Sequence, residues 1–232
     1  MDFRPFDTRH YDTVPVKAGY GEWAATYENT VVDLLDLRLL AGLSSVDWQS
    51  CQRAVDLACG TGRTGVWLKQ AGVVVMHGID CTPEMLEMAR RKGAHDRLVL
   101  GDLSATGFDG GAYDLVVTSL VDEHLADLRP LYAEARRLLA PGGRFVLVGY
   151  HPHFLMMGIA THFDRSPGEP VAIESHVHLA SDHVAAAHAV GLRLGEMIEG
   201  VVDDAWAGVK PKWYAKYRSH PVSFAMVWQG PG

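Results

Sequence analysis

Residues 53–65 read RAVDLACGTGRTG: an apolar run interrupted by Asp56, a turn carrying Gly60, Gly62 and Gly65, and then the opening of a helical pattern. A short hydrophobic strand running into a glycine turn and a helix is the first half of a parallel βα unit. The glycines fit G-x-G-x-x-G, which in this setting leaves backbone N–H groups at a helix N-terminus free to approach a ligand. Asp80, 20 positions after Gly60, closes the next apolar run, VVVMHGI (73–79). A carboxylate there can accept from both hydroxyls of a ribose, so loop and acid together predict an adenosine-type cofactor. The plainer reading is a tight turn, with Asp80 capping the next helix.

Working outward, the alternation continues. RLVL (97–100), YDLVVTSL (113–120) and GRFVLVGY (143–150) read as strands, and helical patterns occupy 64–71, 83–92 and 127–140. The second helix opens at Thr82-Pro83-Glu84 and the third closes at Pro141-Gly142-Gly143. Strands alternating with helices predict a parallel sheet covered on both faces. Upstream, residues 19–43 space Trp23, Tyr27, Val31, Leu34, Leu35 and Leu39 three or four apart, which predicts one amphipathic helix. Downstream, residues 151–179 are rich in His and Pro without periodicity. A capped helix (181–191) follows, then two closing strands, RLGEMIEGVV (193–202) and PVSFAMVW (221–228). Between them, DDAWAGVKPKWYAKY (203–217) is read as a lid. With no repeat or composition break, 1–232 is expected to be one domain: a helical cap (1–45), a cofactor core (50–150) and an acceptor-binding part (151–232).

NAD would suit the same loop and acid. However, the loop begins about 55 residues into the chain, and no tyrosine is followed four positions later by lysine, as a short reductase would require. Another pattern is closer. Asp56-x-Ala58-x-Gly60-x-Gly62, GID ending at Asp80, LVLGD ending at Asp102, YDLVVTSL and LLAPGGRFVLVGY stand in order. The set resembles that of class I S-adenosylmethionine-dependent methyltransferases, in their small-molecule, type-11 branch, over residues 20–150. The resemblance implies a Rossmann-like α/β fold with a seven-stranded sheet, mostly parallel with one antiparallel strand. It implies S-adenosyl-L-methionine as cofactor and methylation of a small organic molecule at O, N or S. Carried over by position, Asp56 and the loop from Ala58 through Gly60 to Gly62 would lie against the methionine portion. Asp80 would hold the ribose, Cys81 would sit beside the adenine, and Asp102 with Leu103 would meet its amino edge. Tyr20, Trp23 and Tyr27 resemble the aromatic segment that folds over the cofactor. Ala58 departs from the glycine many members carry.

Ligands of open α/β sheets bind beyond the carboxyl ends of the strands. Ser119 and His124 follow the fourth strand, and His151 and His153 follow the fifth. Ser119 is assigned to the cofactor; the three histidines are candidate bases for the proton an acceptor releases. No metal site is expected, because the His176-x-His178 pair lacks a partner helix or cysteine cluster.

Composition bounds the alternatives. The chain has 232 residues, 48% hydrophobic and 21% charged, which supports a folded core, and a net charge of −7. That balance, and SLVDEH where a base-binding tetrapeptide would stand, weigh against a nucleic-acid methyltransferase and a nucleic-acid partner. No run of 18 uncharged apolar residues predicts a membrane span. Three cysteines, none in a C-x-x-C, suggest a reducing, cytoplasmic setting. A catalytically silent cofactor-binding regulator remains the alternative outside catalysis.

Overall fold

The computed structural model describes residues 1–230. In chain order the strands are β1 (Asp12–Val14), β2 (Arg53–Leu57), β3 (Val75–Asp80), β4 (Arg97–Leu100), β5 (Tyr113–Ser119), β6 (Leu139–Tyr150), β7 (His162–Ser166), β8 (Glu169–Ile173), β9 (Arg193–Val201) and β10 (Pro221–Gln229). The helices are α1 (Val16–Trp23), α2 (Tyr27–Thr30), α3 (Leu37–Gly42), α4 (Arg63–Ala71), α5 (Pro83–Lys92), α6 (Arg129–Leu138), α7 (Pro152–Met156), α8 (Ala180–Ala189), α9 (Trp206–Val209) and α10 (Pro211–Tyr217).

Seven strands form one sheet in the order β4-β3-β2-β5-β6-β10-β9. β2 through β6 pair in parallel, and β10 runs antiparallel to both its neighbours. This is the Rossmann-like sheet with one antiparallel strand that the motif order implied. The central strands read as continuous apolar runs because both faces are buried. Val55, Val116, Phe145, Leu147, Phe224 and Met226 pack on α6 and α8, while their neighbours Ala54, Leu115, Val117, Val146 and Ala225 pack on α3 and α4.

Two regions differ from the sequence reading. The predicted helix over 19–43 is three short ones. Trp23 Nε1–H donates to Thr30 Oγ1 at 3.0 Å, folding the chain back between α1 and α2. Asp36 then starts α3 afresh by accepting from Leu37 N–H at 2.8 Å. The aperiodic stretch 151–179 holds α7 and the hairpin β7–β8, which with β1 makes a second sheet in the order β1-β8-β7. The hairpin turns at Pro167-Gly168, with Gly168 at φ +82°. The P-G dipeptide between HFDRS and EPVAI was the local signal for it. This small sheet carries α1 and roofs the carboxyl ends of the main strands.

Candidate active site

Beyond the ends of β2, β3, β4 and β5 lies a cavity of about 250 Å³. Its floor is the glycine loop. Cys59 N–H donates to Ile79 O at 2.9 Å, tying the loop to β3. Gly60 N–H donates to Asp80 Oδ2 and Thr82 N–H to Asp80 Oδ1, each at 2.8 Å. The carboxylate of Asp80 thus clamps the loop to the start of α5, the role the plainer reading gave it, and each oxygen keeps a lone pair for a ligand donor. Burial pushes its pKa up, against the pull of the two N–H groups. A side chain built on Gly60 would meet nothing within 4 Å, so the backbone there faces open space. On the next strand, Asp102 Oδ1 accepts from the Ser104 N–H at 2.8 Å and its hydroxyl at 2.7 Å, leaving Oδ2 open.

The structure gathers most of the sequence-assigned residues at this cavity. Tyr20, Tyr27, Ala58, Gly60, Asp80, Cys81, Asp102, Leu103, Ser119 and His124 all line it. Five assigned residues do not, Trp23 among them, which faces a separate cavity across the cap. Gly62 caps α4 behind the loop. Asp56 points into the core, where its Oδ2 lies 3.6 Å from His95 Nε2. The pleat explains the difference, because successive strand side chains alternate faces and Asp56 stands within β2 rather than past its end. His151 Nδ1 accepts from His153 N–H and its Nε2 bonds Glu199 Oε1 on β9 at 2.9 Å. His153 stacks on His220, ring centroids 5.6 Å apart. Both are held at the β6–β10 edge by α7, which turns them away from the cavity. The expectation that they face the reacting group is corrected accordingly.

His124 is differently placed. Its Nδ1 lies 2.7 Å from Glu174 O, and a carbonyl only accepts, so Nδ1 carries the proton. Nε2 is then the acceptor for the Tyr20 hydroxyl at 2.8 Å. Burial lowers the His124 pKa to about 4, so the ring is neutral at physiological pH. Behind it, Glu123 is buried, accepts from Thr161 Oγ1–H at 3.0 Å and sits 3.5 Å from His124 Nε2. Burial, with the neighbouring Asp122, raises its pKa to about 8.

Several contributors escaped the sequence reading. Arg63, first residue of α4, makes a two-pronged pair with buried Asp36 at 3.1 and 2.9 Å, and Ser119 Oγ–H donates to the same carboxylate at 3.3 Å. This bolts the helical cap to the glycine loop across residues far apart in the chain, and no local pattern marks it. His95 fills a slot beneath the loop; the three atoms nearest a side chain built on Gly65 would all be its ring atoms. Among the described residues, no three His, Cys, Asp or Glu side chains converge as a metal site would require, and no helix is long and apolar enough to cross a membrane.

Residues 55–147 match the family model described as a methyltransferase domain. The demethylmenaquinone methyltransferase of Thermus thermophilus is 38% identical over 107 residues, covering 44% of this chain and 48% of the relative. The chain therefore spans about half that relative's length. Among solved structures, an S-adenosylmethionine-dependent methyltransferase from Mesorhizobium loti superposes with a TM-score of 0.65 at 20% identity, over 84% of this chain and 97% of the other. The DhpI–SAH complex superposes with a TM-score of 0.66 at 20% identity, over 93% and 95%. Residues 55–147, which hold the glycine loop and the first five sheet strands, thus match a methyltransferase domain, and the chain as a whole has the fold of S-adenosylmethionine-dependent methyltransferases.

Proposed function

We propose that the protein transfers a methyl group from S-adenosyl-L-methionine to a small organic acceptor. One observation carries the reading: two carboxylates with unused acceptor positions, Asp80 and Asp102, flank the open backbone of Gly60 in one cavity. A ribose diol and an exocyclic amine are the donors such a pair suits. Asp80 would hold the ribose, Asp102 with Leu103 the adenine, and the loop at Ala58 and Gly60 the methionine portion. The bound cofactor supplies an electrophilic methyl on a sulfonium.

The chain's own residues do the rest. Tyr20 and Tyr27 roof the cavity from the cap and present aromatic faces, which favour a cation. Neutral His124 fixes the Tyr20 hydroxyl, so we assign His124 as a positioning residue for Tyr20 rather than as a strong base. Alignment and exclusion of water supply most of the rate enhancement in a reaction of this kind.

Calorimetry with S-adenosylhomocysteine tests the assignment. Asp80→Asn leaves one acceptor oxygen where two backbone N–H groups and the ribose need acceptors, so it loosens the loop clamp as well as the ribose contact and should weaken binding by roughly 10- to 100-fold. Asp102→Asn, at an exposed position, should cost about 3- to 10-fold. NAD should give no measurable heat. Micromolar NAD affinity, or wild-type affinity for S-adenosylhomocysteine in both variants, would sink the cofactor assignment.

A further inference from the structure

A second cavity, of about 210 Å³, lies on the other side of the helical cap. Its walls are aromatic: Trp23, Tyr150, Phe154, Phe163, Trp206 and Trp213. Four of these form two stacked pairs, Trp206 on Trp213 (5.7 Å, 3°) and Trp23 on Phe163 (5.7 Å, 13°). The walls come from α1, β6, α7, β7 and the α9–α10 segment, so the sequence-predicted lid closes over this cavity and not over the glycine loop. The partition between the two cavities is thin. Trp23 lines one, Tyr20 and Tyr27 line the other, and their ring centroids are 5.7 and 4.9 Å apart.

The few polar groups constrain what fits. Thr161 lines the cavity, and its hydroxyl spends its proton on Glu123 Oε1, so toward a guest it can only accept. A guest that bonds it must therefore donate. Lys210 also lines the cavity and uses one N–H on Thr30 O at 3.0 Å, keeping the others for an acceptor oxygen. Thr30 Oγ1 is saturated, accepting from Trp23 and donating to Tyr27 O at 2.9 Å. Asp164, the acidic residue of the lining, stands exposed on β7. A cavity of about 150 Å³ already holds a benzene ring, so there is room here for a substituted one.

We propose that this cavity, walled off from the glycine-loop cavity by Trp23, Tyr20 and Tyr27, is a second ligand site that takes a planar aromatic ring bearing a hydroxyl, which donates to Thr161, and a carbonyl or carboxylate oxygen, to which Lys210 donates. This binding chemistry stands apart from the methyl-transfer reading.

The probe is 4-hydroxybenzoate, titrated calorimetrically into the full chain, with and without saturating S-adenosylhomocysteine. A Kd on the order of 0.1–1 mM is expected for a ligand of this size. Benzoate, which leaves Thr161 unpaired, and cyclohexanecarboxylate, which has no ring face, should each bind at least about 10-fold more weakly. Thr161→Val should erase the preference for 4-hydroxybenzoate over benzoate while benzoate still binds. Lys210→Met should bring 4-hydroxybenzoate down to the affinity of phenol. Trp213→Ala should cost about 10-fold or more. Since Trp213 is half-buried and its loss can loosen the fold, the Thr161 and Lys210 variants give the independent readouts, and S-adenosylhomocysteine affinity checks that each variant is folded. Absence of 4-hydroxybenzoate binding, or equal affinity for all probes, overturns the proposal even where S-adenosylhomocysteine binds. Ring binding with the stated losses supports the site even where S-adenosylhomocysteine does not bind, an outcome that would instead remove the methyl-transfer reading.

Discussion

At the residue scale, two cavity-lining positions carry backbone that L-amino acids adopt rarely. Ala58 has φ +59° and Leu120 φ +55°. Such residues gather where a surrounding structure over-determines them, and both stand where strands give way to the glycine-loop cavity. Ala58 allows a direct test. The left-handed conformation costs an L-residue roughly 1–2 kcal/mol, while glycine loses about 0.5–1 kcal/mol more chain entropy on folding. Ala58→Gly should therefore stabilise the fold by about 0.5–1 kcal/mol. Urea denaturation should show a raised midpoint at an unchanged slope. A lowered midpoint would mean that the methyl group of Ala58 makes contacts worth more than the strain.

At the element scale, the glycine loop and α4 rest on His95, and this separates two jobs that one motif combines. Gly60 opens toward the cavity, whereas Gly65 exists for close packing: a Cβ there would lie 2.3 Å from His95 Cε1 and 2.6 Å from Nε2. The His95 ring is fully buried against Asp56, so it has nowhere to swing. Gly65→Ala should destabilise by about 1–3 kcal/mol through overpacking. With His95→Ala already present the same change should stabilise by up to about 1 kcal/mol, because alanine is the better helix former. A double-mutant cycle by urea denaturation reads the sign inversion; an equal cost in both backgrounds would place the obstruction elsewhere. The pair also shows what was legible. Strand, turn and acid at 53–80 are local patterns and gave the first βα unit with Ala58, Gly60 and Asp80, while the resemblance supplied most of the other cavity residues. Asp56 was assigned to the ligand because nothing local announces His95, which reaches it from 39 positions away. The second sheet was hidden for the same reason. Its β1 is three residues long and pairs with β8, so that Asp12 meets Val171. The cap was misread as one helix because its apolar spacing persists through α1, α2 and α3, while the breaks are set by Trp23–Thr30 and by Asp36 with Arg63.

At the scale of the whole molecule, the two cavities lie on either side of a partition whose buried polar core is Tyr20, His124, Glu123 and Thr161, joining the cap, the β5 end and the segment leading into the second sheet. Titration of this core couples pH to the integrity of the roof, with opposite signs for its two ionisable groups. His124 has a folded pKa of about 4, below its value of 6.5 in an open chain, so the unfolded state binds the extra proton and stability falls as pH drops from about 6.5 toward 4. Glu123 has a folded pKa of about 8, above 4.5, so the folded state holds the extra proton and stability falls as pH rises from about 4.5 toward 8. Other groups face Glu123: Asp122, adjacent in sequence, raises its pKa further, and the Thr161 hydroxyl lowers it. The predicted consequence is a loss on raising pH from 6 to 8 that belongs to one carboxyl. Glu123→Gln keeps an oxygen for Thr161 and cannot ionise, so relative to wild type it should retain about 2 kcal/mol more of its stability across that interval. Urea midpoints for both proteins at half-unit steps from pH 5 to 9 provide the measurement. Parallel curves would show that Glu123 is already ionised at pH 6 in the folded protein, and that the partition is held by packing alone.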